Sequence, residues 1–223
     1  MTTSTTLLTS SWPPVRVPVT AEAVRGISDW SHWVIKPSDT ASHGGLIAGA
    51  YPGHKDPAQH KLLIRHLIQT VGVSVFVNLI ETDQLPRFTP YIDLAKEAAV
   101  STTTKTTSKE DIHFIPFPIV DSRVHTDPAQ VLKICLDIIE LVKQGKIIYV
   151  HCWGGHGRTG TLISIILGIV YDLDGDQALE LNGKLHDLRK ITNGIPSPET
   201  DVQLKQVREV LNKYHAENKK QKI

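Results

Sequence analysis

The segment from residue 146 to residue 171 restricts the possible folds of this chain more than any other. Its sequence is KIIYVHCWGGHGRTGTLISIILGIVY. The first six residues are mostly apolar, which predicts a strand, and the apolar run from Leu162 to Val170 predicts a buried helix. The turn between them is rich in glycine, which permits positive φ angles and lets successive backbone N–H groups point inward. The helix N-terminus behind the turn adds a partial positive charge. The sequence therefore predicts a strand–turn–helix unit that can bind an anion.

A cysteine and an arginine stand at the two ends of this turn. Cys152 follows the predicted strand, and Arg158 opens the predicted helix after five intervening residues. Inward N–H groups closed by a guanidinium fork bind a tetrahedral dianion. The same field favours the thiolate form of Cys152 near neutral pH. A thiolate below a bound phosphate is positioned for in-line attack on phosphorus, so Cys152 is the predicted nucleophile.

Strand and helix signals alternate along the rest of the chain. Asp56-Pro57 and Asp127-Pro128 are typical of a capped helix start, with aspartate as the cap and proline in the first turn. Strands alternating with helices predict an α/β domain whose central, largely parallel sheet is flanked by helices. Besides the unit above, strands are predicted within 44–53, 73–80 and 112–120, and helices within 57–72, 128–145, 176–189 and from Ser197-Pro198 onward.

The domain limits follow from composition. Residues 1–28 are predicted to form an N-terminal arm, 29–217 the catalytic domain, and 218–223 a basic C-terminal tail. The polar stretch 101–111 is predicted to be a surface loop.

Residues 151–160, HCWGGHGRTG, resemble the signature of the protein tyrosine phosphatase superfamily, in particular its dual-specificity branch. The resemblance implies the cysteine-phosphatase fold and a phosphocysteine intermediate formed on Cys152. It further implies that Arg158 holds two phosphate oxygens, that Thr159 donates its hydroxyl to the sulfur, and that His151 orders the loop. The phosphate would lie against the backbone amides of Trp153, Gly154, Gly155, His156, Gly157 and Arg158.

Three other interpretations of this segment remain open. The cysteine could be a buried residue on a turn that matches the signature by chance. A rhodanese-like sulfur-transfer loop also places a cysteine in an anion-binding turn, although the Arg158-Thr159-Gly160 helix entry favours the phosphatase. His151 could simply be a histidine at a strand end.

The resemblance also requires a general acid, an aspartate on the loop after the preceding strand. Asp121 lies 31 positions before Cys152, at the start of such a loop, and is the preferred candidate. Asp127 is the rival, but it precedes Pro128 as a helix cap does. Glu81 and Asp83 follow another predicted strand and are weaker candidates. The Trp-Pro-Asp form of the receptor-type tyrosine phosphatases is missing.

Gln203 is the candidate for positioning the hydrolytic water. The segment IPSPETDVQ, residues 195–203, resembles a loop that has this role in dual-specificity-like phosphatases. The alternative is an exposed glutamine at a capped helix start. The looser resemblance to this group spans roughly residues 44–212.

The composition limits which binding partners and which cellular location we expect for this chain. A net charge of +1 provides no general basic field, so nucleic acid is an unexpected partner. Two cysteines exclude a disulfide framework and a four-cysteine zinc site, and a reducing, cytoplasmic location is expected. The longest apolar run is about half of the ~20 residues that cross a bilayer, so no membrane span is expected. No metal or other cofactor is predicted, because Arg158 and the loop amides supply the positive charge.

The sequence thus predicts a metal-independent hydrolase acting on a phosphorylated protein or a small phosphomonoester. Phosphotyrosine, phosphoserine and phosphothreonine are the expected substrate groups. An inositol phosphate, a phosphoinositide or an RNA 5′-phosphate is the alternative on the same fold. For such polyanions, His156 could become cationic near its usual pKa of ~6.5. A module that binds phosphate without turnover is the third possibility.

Overall fold

The computed structural model describes residues 27–37, 43–100 and 112–221, and a five-stranded sheet forms its centre. The strand order is β1-β2-β5-β3-β4. β1 is antiparallel to β2, and the other three neighbouring pairs are parallel. This confirms the predicted α/β class with a largely parallel sheet. The strands are β1 Ser31–Ile35, β2 Gly45–Gly49, β3 Val73–Asn78, β4 His113–Pro116 and β5 Ile147–His151.

Six α-helices surround this sheet in the part of the chain that the structure describes. Two aspartate caps predicted from the sequence are confirmed: Asp56 accepts the N–H of Gln59, and Asp127 accepts the N–H of Ala129. A π-helical turn, His66–Thr70, extends the first helix. The helices are α1 Pro57–Arg65, α2 Ile92–Val100, α3 Pro128–Lys143, α4 Gly157–Tyr171, α5 Gly175–Asp187 and α6 Asp201–Gln221.

Both faces of the sheet are buried, so the chain has an apolar core on each side. Val75 and Val77 of β3 belong to the larger core, which α3, α4, α5 and α6 cover. Phe76 points to the opposite face and joins the smaller core beneath α1 and α2. Strand residues that are apolar on both faces are typical of a parallel sheet covered by helices. α4 lies within the larger core and is buried along almost its whole length.

Some predicted boundaries differ from the structure. The strand predicted within 112–120 has only four residues, His113–Pro116. The last helix begins at Asp201 instead of Ser197, because the side-chain oxygen of Gln203 accepts the N–H groups of Glu199 and Thr200 and holds them in a turn. β1 and α2 were not predicted.

Parts of the predicted domain layout lie beyond the described residues. Residues 1–26 of the proposed arm and the polar stretch 101–111 are outside them. α6 continues to Gln221, so the proposed boundary between 217 and 218 falls inside a helix. Among the described residues, no helix has the length and apolar character required to cross a membrane.

Candidate active site

The glycine-rich turn lies at the carboxyl end of β5 and leads directly into α4. Gly155 has a φ of +74°, and a Cβ there would lie 2.3 Å from the carbonyl carbon of Gly49 at the end of β2. Glycine is therefore required both for the backbone angle and for the close approach of β2. The Tyr51 N–H donates to the Trp153 carbonyl at 2.9 Å and ties the other side of the turn to the same region. We call residues 152–158 the phosphate loop.

Arg158 and Asp121 meet beside Cys152. Arg158 is only 2% exposed, and its Nη2 atom lies 2.7 Å from Asp121 Oδ1. Its Nη1 atom donates to the Ile119 carbonyl at 3.1 Å. The guanidinium is thus fixed at two points on the loop that carries Asp121. Cys152, Arg158 and Asp121 all line one cavity of about 820 Å³.

Aromatic and basic side chains form the outer wall of this cavity. Tyr51 stacks on Phe88 with ring centroids 4.4 Å apart, and Phe88 meets the edge of Trp153 at 5.3 Å. The Arg87 guanidinium lies 5.7 Å from the centre of the Trp153 ring. Lys55 also lines the cavity. An apolar ring and an anionic group can therefore both be accommodated.

His151 connects the phosphate loop to a residue that sequence reasoning missed. Its Nδ1 atom donates to the Cys152 carbonyl at 3.3 Å, and its Nε2 atom accepts the Tyr91 hydroxyl at 2.8 Å. Burial, with a smaller contribution from the nearby charge of Arg158, lowers the pKa of His151 to about 3. His151 is therefore neutral at pH 7. Tyr91 lies 60 residues away in the chain, so no local pattern could have identified it.

His156 does not provide the cation considered above for a polyanionic substrate. Its Nδ1 atom lies 2.8 Å from His186 Nε2, and one of the two nitrogens donates to the other. Burial, followed by the charge of Arg189, lowers the pKa of His156 to about 4. The imidazole is neutral at physiological pH, so that expectation was wrong.

Gln203 is fully buried and lines the same cavity. The alternative interpretation, an exposed glutamine at a helix start, was therefore wrong. Its Nε2 atom donates to the Arg123 carbonyl at 3.1 Å. A Cβ placed on Gly157 would lie 2.8 Å from that nitrogen, so the amide packs directly against the phosphate loop. Thr159 is buried, and its hydroxyl has no hydrogen-bond partner within the described ranges.

The other acidic candidates have different surroundings. Asp127 caps α3, and the N–H of Ala129 lowers the pKa of its carboxyl group. Glu81 accepts the Asp121 N–H at 3.2 Å, so it supports the loop that carries Asp121. Asp83 is exposed and does not line the cavity. Among residues 27–37, 43–100 and 112–221, no His, Cys, Asp and Glu side chains are grouped as a metal site would require.

The arrangement of sheet, phosphate loop and buried arginine is that of the cysteine-based phosphatases of the protein tyrosine phosphatase superfamily. Within that class, residues 57–207 match the family model PTP-SAK, described as a Swiss Army Knife protein, DSP-PTPase phosphatase domain. The match covers more than half of the chain, which therefore belongs to this family. The predicted identity as a dual-specificity-like phosphatase and hydrolase is confirmed.

Individual relatives agree with this assignment. The chain is 27% identical over 118 residues to a protein named putative tyrosine phosphatase 197R, from Invertebrate iridescent virus 6. That match covers 52% of this chain and 38% of the viral protein, so it spans well under two thirds of that relative.

Solved structures share the fold. The structure of PTPMT1 in complex with PI(5)P has a TM-score of 0.60 and 17% identity, over 85% of this chain and 99% of that one. Kinase associated phosphatase, with a serine in place of its catalytic cysteine, has a TM-score of 0.57 and 20% identity, over 77% and 88% of the two chains.

Proposed function

We propose that this chain hydrolyses phosphate monoesters through a phosphocysteine formed on Cys152. The Cys152 sulfur attacks phosphorus, the bond from phosphorus to the ester oxygen breaks, and Asp121 protonates the departing oxygen. Water then attacks the phosphocysteine, Asp121 takes the proton of that water, and inorganic phosphate leaves. Thr159 donates its buried hydroxyl to the departing sulfur. The observation that carries the proposal is the 2.7 Å contact between Arg158 and Asp121 in the cavity that Cys152 lines.

This contact also indicates how the site would respond to a substrate. Without substrate, the Asp121 carboxylate lies against Nη2 of Arg158, one of the donors that a phosphate requires. A bound dianion would take this donor from Asp121, whose carboxyl group could then meet the departing oxygen.

Gln203 is proposed to position the hydrolytic water. Its buried amide packs against Gly157 of the phosphate loop and lines the cavity. A polar group fixed at this place can orient a water molecule toward the phosphocysteine. Gln203→Ala should therefore slow release of phosphate more than formation of the phosphocysteine, which a burst of released phenol would reveal.

The proposed substrate is a phosphorylated protein, with phosphotyrosine as the preferred group. The support is the wall of Tyr51, Phe88 and Trp153 beside the phosphate loop, against which a phenyl ring can pack. A phosphorylated inositol is the second candidate, because Lys55 and Arg87 line the same cavity and could meet further phosphate groups. A reducing compartment such as the cytoplasm would keep Cys152 reduced, as the reaction requires.

Hydrolysis of p-nitrophenyl phosphate, phosphopeptides, inositol phosphates and 5′-triphosphorylated RNA tests these proposals together. Cys152→Ser should abolish all release of phosphate, whereas Cys135→Ala, which changes the buried cysteine of α3, should retain it. Full activity of Cys152→Ser would contradict the mechanism. Binding of a phosphate ester by the wild type without turnover would identify a binding module instead.

The general acid is tested by a matched pair of variants. Asp121→Asn should lower turnover by about 10²- to 10⁴-fold, the usual size of a general acid–base contribution. Asp127→Asn removes the same charge from the cap of α3 and should leave turnover nearly unchanged. If Asp127→Asn abolished turnover and Asp121→Asn did not, the assignment would be reversed.

A further inference from the structure

The proposed general acid lies at the start of a short loop between β4 and α3. We call residues 121–126 the acid loop. Asp121, Ser122 and Arg123 are all exposed, so little apolar burial holds this part of the chain. Exposed segments with few buried contacts move easily unless polar contacts fix them. The direction of the Asp121 carboxyl group therefore depends on the hydrogen bonds that the acid loop makes.

The backbone next to Asp121 is strained. Ser122 has a φ of +57°, a left-handed conformation that residues other than glycine adopt only at a cost. Its N–H donates to Asp121 Oδ1 at 3.1 Å, and the same oxygen lies 2.7 Å from Nη2 of Arg158. A strained residue keeps its conformation only where the surrounding structure holds it. Contacts from outside the acid loop must therefore hold this geometry.

The start of α6 and the turn before it provide three such contacts. In each, a side chain donates to a backbone carbonyl of the acid loop. The Thr200 hydroxyl donates to Ser122 at 3.4 Å, Gln203 Nε2 donates to Arg123 at 3.1 Å, and Gln206 Nε2 donates to His125 at 2.8 Å. The bond from Gln206 is the shortest of the three. Because Gln203 and Gln206 are three positions apart on one helix, their amides lie on the same side of it.

Gln206 contacts the acid loop but does not reach the substrate. It is 5% exposed and, unlike Gln203, does not line the cavity. Its neighbour Val207 is fully buried in the larger core, so the helix is fixed at this point. Gln206 Oε1 is buried and has no hydrogen-bond partner among the described residues, which is costly. The bond to the His125 carbonyl is the interaction that offsets this cost.

His125 is held at its ring as well as at its carbonyl. The ring stacks on Phe117, with centroids 4.7 Å apart and planes 20° apart. Its Nδ1 atom accepts the N–H of Asp127, the cap of α3, at 3.1 Å. Gln206 adds the backbone contact that connects this fixed residue to α6. The end of the acid loop away from Asp121 is thereby anchored to two helices.

We propose that Gln206 is a positioning residue for the general acid, because its hydrogen bond to the His125 carbonyl holds the acid loop where Asp121 can meet the departing oxygen. Gln206 contacts no reacting atom. The inference rests on the proposed function, which assigns proton transfer to Asp121. Loss of the bond should displace the acid and leave the phosphate loop, on which attack by Cys152 depends, in place.

The test compares two phosphate esters that need the acid to different degrees. Phenyl phosphate releases a basic phenolate, which requires a proton as it leaves. The 2,4-dinitrophenyl ester releases a weakly basic phenolate, which does not. The ratio kcat/KM reports the steps up to release of the phenol, in which Asp121 acts as an acid. Misplacement of the acid therefore lowers kcat/KM for phenyl phosphate alone, whereas a general loosening of the site lowers both values.

The variants separate the bond from its surroundings. Gln206→Leu and Gln206→Met both remove the donor and keep an apolar side chain of similar size. Gln69→Leu is the matched control, because Gln69 Nε2 also donates to a backbone carbonyl, that of Ala98 at 3.0 Å, beside the smaller core. Asp121→Asn is the reference for loss of the acid. Circular dichroism and thermal melting establish which variants are folded.

Both Gln206 variants should lower kcat/KM for phenyl phosphate about tenfold, since a full displacement of about 1 Å costs about 100-fold and other anchors remain. The value for the dinitrophenyl ester should change by less than about twofold, because that reaction does not need the acid. Gln69→Leu should resemble the wild type with both esters. In an Asp121→Asn background, Gln206→Leu should add less than about twofold, because no acid is left to position.

Three results would overturn the role of Gln206. They are an unchanged kcat/KM for phenyl phosphate in a folded Gln206 variant, equal losses with the two esters, and a full additional loss in the Asp121→Asn background. Two replacements of different shape guard against a failure of either one to fold.

The reference variant separates this inference from the proposed function. Asp121→Asn should show the same dependence on the leaving group, with a larger loss. Equal losses with both esters in Asp121→Asn would refute the assignment of the acid, and the inference about Gln206 would fail with it. A dependence in Asp121→Asn that the Gln206 variants lack would refute only the role of Gln206.

Discussion

Replacing Gly155 by alanine isolates the contact that seats the phosphate loop on the sheet. The new Cβ would lie 2.3 Å from the carbonyl carbon and oxygen of Gly49 and 2.6 Å from the Ala50 nitrogen. All of these are backbone atoms, so no side chain can rotate to make room. Gly145, after α3, has a φ of +86° and no atom within 4 Å of its Cβ position. Gly145→Ala therefore has the same backbone strain without the collision.

The magnitudes follow from these distances. A left-handed backbone costs an alanine about 1–2 kcal/mol, and Gly145→Ala should lose that amount and nothing more. Carbon atoms pack best at about 3.5–4.0 Å, so Gly155→Ala must move the loop or the end of β2 by about 1 Å. Overpacking of this kind costs about 1–3 kcal/mol. The free energy of unfolding should therefore fall by about 2–5 kcal/mol in Gly155→Ala.

Activity should separate the two variants more clearly than stability does. The displaced loop carries Cys152, and an error of about 1 Å in a reacting group costs about 100-fold in rate. Urea unfolding gives the stability of each variant, and kcat/KM for p-nitrophenyl phosphate gives its activity. We expect Gly145→Ala to keep nearly full activity. Equal losses of stability and of kcat/KM in the two variants would refute the close approach of Gly155 to β2.

Three further predictions concern the polar groups of the site. Asp121→Asn should bind tungstate about fivefold more tightly, because a half-exposed ion pair worth about 1 kcal/mol no longer competes for Arg158; unchanged affinity by calorimetry would contradict this. Tyr91→Phe should lower the free energy of unfolding by about 1–2 kcal/mol, since His151 Nε2 loses its buried donor; an unchanged urea midpoint would count against that bond. The lowered pKa values of His156 and His186, about 4 and 3, imply full stability above pH 6.5 and loss toward pH 4, because only the unfolded chain then takes up protons. Because His151 behaves in the same way, urea unfolding at pH 7, 6 and 5 should show a loss of at least about 2–3 kcal/mol between pH 6 and pH 5, and a flat profile would contradict the lowered pKa values.

Local signals explain what the sequence predicted correctly. The strand before Cys152, the helix after it and the positive φ of Gly155 all depend on neighbouring residues, and each appears in the structure. The Asp127-Pro128 pair predicted a helix cap, and Asp127 caps α3. Asp121, which the sequence resemblance proposes as the general acid, lies beside Arg158 in the structure.

The missed elements lack such signals. α2 buries only alanines, Ala95 and Ala98, so its apolar face does not stand out in the sequence. β1 begins with Ser31 and His32, which are polar yet buried because they contact Ser28 and Arg189. A pattern based on hydrophobicity cannot predict burial that depends on distant polar partners.

The side chains packed behind the phosphate loop are also polar groups whose partners lie far away in the sequence, and this affects what the motif alone can predict. The residues of the loop determine how a phosphate is held, because their N–H groups and Arg158 face the ligand. The position of the loop also depends on residues far along the chain, because His186 Nε2 lies 2.8 Å from His156 Nδ1 and the Ser197 hydroxyl donates to the His156 carbonyl at 3.0 Å. Two chains with an identical HCWGGHGRTG segment could therefore differ in how firmly the turn is held. The motif predicts the reaction that the loop can perform, and the distant polar partners hold the loop in the geometry that the reaction needs.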